Sequence, residues 1–254
     1  MRNSWPARIG PRVSSVMQYP NLTSFLRDGK AAMAKGPLAL IMVEDDVEVR
    51  STIDHHLRQG FRAVVAFAAD DIPQPDGLDE DVHWVTHDMS GDAALETAVN
   101  GVIKAMPGQW LYYCYNSEYL HYPFCEDRTI GELLAFNAEE RRETVLCYVI
   151  DLYAGELEHA NEAVSLEDAY LDKAGYYALA RWNGTDYEDR QLDFFGGLRW
   201  RYEEFIPWTR RRIDRVGLFR ARPGLQLRPD HTFNVPEYNT YACPWHNNIT
   251  AAIC

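Results

Sequence analysis

Cysteine is scarce in this chain: five residues in 254, at Cys114, Cys125, Cys147, Cys243 and Cys254. The count is odd, the spacing is irregular, and no Cys-x-x-Cys pair occurs. That excludes a disulfide framework and predicts reduced thiols in a cytoplasmic protein. Cys243 and His246 have zinc-like spacing, but no second pair exists to complete such a site. No apolar run approaches the roughly 18 residues that a membrane span needs. Residues 1–36 carry charges and prolines where a signal peptide would have an apolar core. Basic residues are also few, 25 Lys and Arg against 38 Asp and Glu, for a net charge of −13. Such a balance excludes nucleic-acid binding by broad electrostatics, which needs clustered cations against phosphates. The one basic cluster is Arg210-Arg211-Arg212, followed by Arg215, Arg220 and Arg222. It reads as a solvated face, with peripheral contact to an anionic membrane as the lesser expectation. Internal repeats and low-complexity segments are absent.

What is present suits an α/β fold. Hydrophobic residues make up 46% of the chain, enough for a sizeable core. Residues 38–43 are a continuous apolar run and read as a buried strand; 61–69 is strand-like, and 82–85 reads as a short strand. Residues 46–59 carry Val49, Ile53 and Leu57 at helical spacing, and Gly60 stops them. In 92–106, Leu95, Val99, Val102 and Met106 recur at i, i+4, i+7 and i+11, again a helix. A strand from Trp110, a helix over 129–141 and a strand over 144–153 complete an alternation that predicts βα units and a mostly parallel sheet. Residues 1–36 read as an irregular or partly helical leader. Residues 155–254 are richer in Arg, Pro and aromatics and less regular; they read as an extension of the same domain. The segment 247–254 reads as the first turn of a helix that is never finished, which predicts a chain that stops inside an element.

The most informative stretch runs from Trp110 to Pro123. It is aromatic and apolar, then turns abruptly polar, with Glu118 at the break. Ligands of open α/β sheets sit outside the carboxyl ends of strands, so Glu118 is placed where a site is expected.

Two families share motifs with this chain. Val43-Glu44-Asp45-Asp46, with Asp88 downstream, looks like the start of a response-regulator receiver domain that holds Mg²⁺ beside a phosphoacceptor. That family also needs a hydroxyl residue after its fourth strand and a Lys-Pro after its fifth. Here Cys114-Tyr115-Asn116-Ser117 fills the first slot and no Lys-Pro occurs, so the receiver reading is set aside.

Over residues 38–250 the chain resembles the family 2 glycosyltransferase superfamily, in its bacterial branch with an Asp-x-Asp-Glu-Phe motif. Glu44-Asp45 stands in place of that family's Asn-Glu, with His56 and Gly60 at the expected offsets. Trp110-Leu111-Tyr112-Tyr113-Cys114 looks like its metal-site strand, and Tyr115-Asn116-Ser117-Glu118-Tyr119-Leu120 lies in register with Asp-x-Asp-Glu-Phe-Leu. Asp151-Leu152-Tyr153 looks like its Asp-Met-Tyr, and Phe195-Gly196-Gly197-Leu198-Arg199-Trp200-Arg201 like its Gly-Gly-x-Arg-x-Arg. His231 and His246 look like its two late histidines.

The resemblance implies a GT-A, Rossmann-like fold over 37–254, with a nucleotide-binding half (37–154) and an acceptor-side half (155–254). It implies transfer of a sugar from a nucleotide-sugar donor to a hydroxyl acceptor such as an envelope glycan, in polysaccharide biosynthesis. Mg²⁺ or Mn²⁺ would neutralise the diphosphate, with Glu118 as the metal or acid–base residue. Glu44 and Asp45 would contact the nucleotide. Gly196 and Gly197 would let backbone approach the ligand, Arg199 and Arg201 would clamp diphosphate, and His231 and His246 would complete the site. Two of the three motif acids are replaced, by Tyr115 and Ser117. The alternative is therefore a degenerate glycosyltransferase fold kept as a binding or scaffold module.

Overall fold

The computed structural model describes residues 16–160, 162–239 and 249–253. In chain order the elements begin with β1 (Met17–Tyr19), α1 (Leu22–Asp28), α2 (Lys30–Met33), β2 (Leu38–Val43), α3 (Val49–Arg58), β3 (Ala63–Ala68), β4 (Val82–Thr86) and α4 (Ala94–Ala105). Next come β5 (Trp110–Tyr115), β6 (Tyr119–His121), α5 (Ile130–Glu139) and β7 (Thr144–Ile150). The remainder holds β8 (Leu152–Ala154), β9 (Ala169–Leu171), β10 (Tyr177–Trp182), β11 (Tyr187–Phe195), α6 (Gly197–Arg201), a 3₁₀ turn (Trp208–Arg210), β12 (Asp214–Arg220), α7 (Pro236–Asn239) and β13 (Ile249–Ile253).

Nine strands form one sheet in the order β1-β4-β3-β2-β5-β12-β7-β13-β6. The block β1-β4-β3-β2-β5 is parallel throughout, and β13 runs parallel to β7. Antiparallel β12 is wedged between β5 and β7, and β6 closes the far edge antiparallel to β13. The mostly parallel α/β sheet expected from the sequence is therefore present.

Burial explains the strand compositions. Every residue of β2 and β3 is buried, as continuous apolar runs require when both faces are covered. Alternate residues of β2 divide between two cores. Leu38, Leu40 and Met42 pack with Phe25 of α1 and Leu95, Val99 and Val102 of α4. Ala39, Ile41 and Val43 pack with Ile53 of α3 and Ile130 and Leu134 of α5. Helices thus cover both faces, giving three layers.

Three expectations need correction. Residues 17–36 are no separate leader: β1 pairs with β4 at the sheet edge, and Phe25 enters the core, because Tyr19, Phe25 and Met33 supply apolar cover for that face. Residues 1–15 lie outside the described residues. The unfinished helix expected in 247–254 is strand β13 over Ile249–Ile253, where pairing with β6 and β7 overrides local preference. The strand expected over 144–153 ends at Ile150, and Asp151, paired with Arg199, separates it from β8.

His56 lies fully buried between α3 and the sheet. Its ring is stacked 5.3 Å from that of Tyr112, and its Nδ1 donates to the Thr52 carbonyl at 2.8 Å. Burial, then neighbouring His55, lowers its pKa to about 3. The unfolded chain, with an ordinary imidazole near ~6.5, therefore takes up a proton first as pH falls. His56 contributes full stability above pH ~6.5 and loses that contribution progressively down to about 3. Buried His55 and His83 are shifted in the same direction, chiefly by burial. Calorimetric unfolding should show Tm falling between about pH 7 and 5, above the range where most carboxylates titrate. His56→Gln, which keeps an N–H donor and does not titrate, should flatten that slope; an unchanged slope would assign the sensitivity elsewhere.

Candidate functional site

The strand order reverses between β2 and β5. From β2 the chain winds outward through β3 and β4, then returns on the other side of β2. Such a switch point leaves a crevice outside the strands' carboxyl ends. Two loops line it, residues 44–48 after β2 and residues 116–118 after β5. Because β12 runs antiparallel, its first residues, Asp214 and Arg215, come to the same rim.

Asn116 latches the two loops together. Its Nδ2 donates to Asp45 Oδ1 at 2.6 Å and to the Val47 carbonyl at 3.0 Å, while its Oδ1 accepts from the Glu44 N–H at 3.0 Å. Ser117 adds a second tie, its N–H donating to Thr52 Oγ1 at 2.9 Å. The latch consumes residues 45–48, which is why α3 begins at Val49 and not at Asp46. Glu48 and Ser117 hold left-handed backbone, with φ of 52° and 62°. For residues with side chains that conformation costs on the order of 1–3 kcal/mol each and gathers at functional loops. Glu44 projects into solvent at this rim. Partial burial, then the charge of Asp45, raises its pKa, and Arg210 opposes the shift.

Beneath the latch, Glu118 and Arg215 form a buried ion pair. Arg215 Nη1 donates to Glu118 Oε1 at 3.1 Å and Nη2 donates to Oε2; the same oxygen accepts from the Tyr115 N–H at 3.1 Å. Burial works against the Arg215 cation, but the Glu118 charge and hydrogen bonds outweigh it, so its pKa stands above the ordinary value. The guanidinium also lies 5.2 Å from the centroid of the Tyr113 ring and 5.9 Å from that of Tyr115. On Tyr113 stacks His231, 6.0 Å away and 6° from parallel, with its Nδ1 3.1 Å from the tyrosine hydroxyl. His231 has a φ of 59°, and burial, then Arg215 and Arg212, lowers its pKa to about 3, so it is neutral near pH 7.

The expected residues fall into two groups. Glu44, Asp45, Glu118 and His231 converge on this rim. Gly196, Gly197, Arg199 and Arg201 do not serve it as expected. Arg199 and Arg201 lie on a helical turn, so they face different partners and not one ligand. Arg199 forks onto Asp151, at 2.6 and 2.9 Å, and donates to the Arg212 carbonyl. Arg201 pairs with Asp172. Gly196, at φ 153°, lies against Tyr176: a Cβ there would come within 2.3 Å of the ring. Gly197, at φ 59°, is held against the same tyrosine's hydroxyl. Both glycines thus accommodate a side chain of this protein. His246 lies outside the described residues. The arginine run is not a uniform solvated face either. Arg211 donates to the Ile206 carbonyl, and Arg212 reaches Asp193 and Asp214.

A divalent cation does not fit the residues at this rim. Tyr115 and Ser117 offer no carboxylate, and both oxygens of Glu118 are engaged by Arg215. Among the described residues, no three His, Cys, Asp or Glu side chains converge as a metal would require. In this structure Glu118, expected as a metal or acid–base residue, is one half of an ion pair.

Sequence reasoning missed Asn116 and Arg215. Asn116 sits inside the quoted motif and could have been singled out as the only amide among its aromatics. Arg215 lies 97 positions from Glu118 and was grouped with the surface arginines. Only the burial of β12 distinguishes it.

Removing one partner should leave an uncompensated buried charge. Glu118→Leu alone should lower stability by about 3–5 kcal/mol, whereas Glu118→Leu combined with Arg215→Met should cost far less. Urea unfolding of the two variants measures the difference; equal losses would show that the pair's charges do not govern stability there.

No protein-family model matches the chain, and a search of curated proteins finds no match.

Proposed function

We propose that this chain is a glycosyltransferase of GT-A type, similar to family 2, which moves a sugar from a nucleotide-sugar donor to a hydroxyl acceptor such as an envelope glycan. The observation that carries this reading is the convergence of Glu44, Asp45, Asn116, Glu118, Arg215 and His231 on the switch-point rim of a mostly parallel sheet. Nucleotide ligands favour that position in open α/β sheets. Three residues on this rim, Glu48, Ser117 and His231, hold left-handed backbone, which supports a functional rather than a purely structural role.

The chemistry follows from which groups are free. In the transfer, the donor's anomeric C–O bond breaks and its electron pair leaves with the diphosphate. The acceptor oxygen bonds to the anomeric carbon, and its proton needs a base. Both oxygens of Glu118 are engaged by Arg215, and neutral His231, with its lowered pKa, is a weak base. Glu44 is solvent-facing, its pKa is raised, and among the described residues no hydrogen bond ties its carboxylate. Glu44 is therefore the group assigned to accept the proton, and Asp45 to contact the nucleotide through its second oxygen. The second reading, a binding module without turnover, is favoured by the loss of two motif acids at Tyr115 and Ser117.

Nucleoside diphosphates test the site directly. One of them, at a hundredfold excess over its Kd, should raise Tm by about 5–10 °C through the linkage of binding to stability. Glu44→Gln should keep that shift and slow sugar transfer by about 10²-fold or more, measured as nucleoside diphosphate release. A shift without turnover in the parent chain would select the binding module. No shift with any base would remove the nucleotide reading.

A further inference from the structure

The resemblance leads one to expect a metal-bound diphosphate, and the rim residues do not fit a metal. We propose that the cation of this site is built into the chain: Arg215 takes the place of the divalent ion, and nucleoside diphosphate binds without metal. This inference rests on the nucleotide reading above.

Three observations carry it. Glu118, the one acid left in the motif, has both oxygens committed to the Arg215 fork. A divalent ion brought to the same carboxylate would have to displace those bonds and lie against a guanidinium of like charge. Among the described residues, the buried Nε–H of Arg215 has no partner. Buried donors are almost always satisfied, so an orphan at a candidate site points to an acceptor supplied by a ligand, and a phosphate oxygen suits a guanidinium. Finally, the cation is fixed in advance. The rings of Tyr113 and Tyr115 lie against it, Glu118 holds two of its nitrogens, and His231 braces Tyr113 from the adjacent loop. A charge that needs no reorganisation is what stabilises a leaving diphosphate most effectively.

Three other arginines are committed elsewhere. Arg199 is held by Asp151, Arg201 by Asp172, and Arg212 by Asp193 and Asp214.

The test is calorimetric titration of the full chain with UDP, GDP, CDP and ADP, each with MnCl₂ and with EDTA. The expected result is that the diphosphate that binds does so with the same Kd in both media. Arg215→Lys, a point charge without the fork, should weaken that Kd by about tenfold and leave it indifferent to manganese. The paired change Glu118→Leu with Arg215→Met, checked for folding by circular dichroism, should bind none of the four. If binding tightens tenfold or more with manganese and is lost in EDTA, the inference is overturned while the nucleotide reading stands. Undiminished binding by the folded double variant overturns the role of Arg215 alone. Failure of all four nucleotides in both media overturns the nucleotide reading and this inference together.

Discussion

The rim is organised by one buried contact, the pair between Glu118 after β5 and Arg215 at the start of β12. A charge in the interior is tolerated only with a partner and further hydrogen bonds. Here the two ions come from strands that run in opposite directions, so their meeting requires β12 to lie antiparallel beside β5. Once they meet, Glu118 also accepts the Tyr115 N–H, which folds the 116–118 loop back over the end of β5. That fold-back puts the Asn116 amide against the 44–48 loop, and the two halves of the crevice become one surface.

The same contact sets the protonation of its surroundings. A fixed guanidinium discourages a second positive charge nearby, and together with burial it keeps His231 neutral. A neutral imidazole can stack on Tyr113 and share a hydrogen bond with its hydroxyl without opposing Arg215. At the outer edge the balance reverses. Partial burial and then the charge of Asp45 hold the Glu44 proton more tightly than in an isolated carboxylate, with Arg210 opposing the shift. The rim thus carries an inner, paired cation and an outer acid of raised pKa.

Residues 152–211 are built on different terms. β8 with β9, and β10 with β11, form two-stranded ribbons outside the main sheet. Tyr170, Trp182, Tyr187, Phe205 and Trp208 are all exposed. Two-stranded ribbons bury too little to be stable alone. These are fastened to the sheet by ion pairs, Asp151 with Arg199 and Arg181 and Arg212 with Asp193 and Asp214. Of the two arginines expected to clamp a ligand, Arg199 helps attach this region, and Arg201 pairs with Asp172 within it.

Much of the fold was legible because apolar periodicity is a local property. The fully buried runs of β2 and β3, and the apolar stripe of α4, appear in the chain as they appear in space. So was the placement of Glu118, since a strand that turns abruptly polar must end at a rim. What could not be read was which charges pair. In a chain with 38 acids and 25 basic residues, an arginine that grips a carboxylate 97 positions away looks the same as one in solvent. The sequence by itself determined the parallel block, the two-sided core and the acidic rim, through spacing and hydrophobicity. Only the tertiary structure decided the strand identity of residues 249–253, the pairing of Arg199 with Asp151 and of Arg201 with Asp172, and the burial of Arg215 against Glu118. Those outcomes depend on strand order and direction, which arise when distant segments meet and are encoded in no single stretch of the chain.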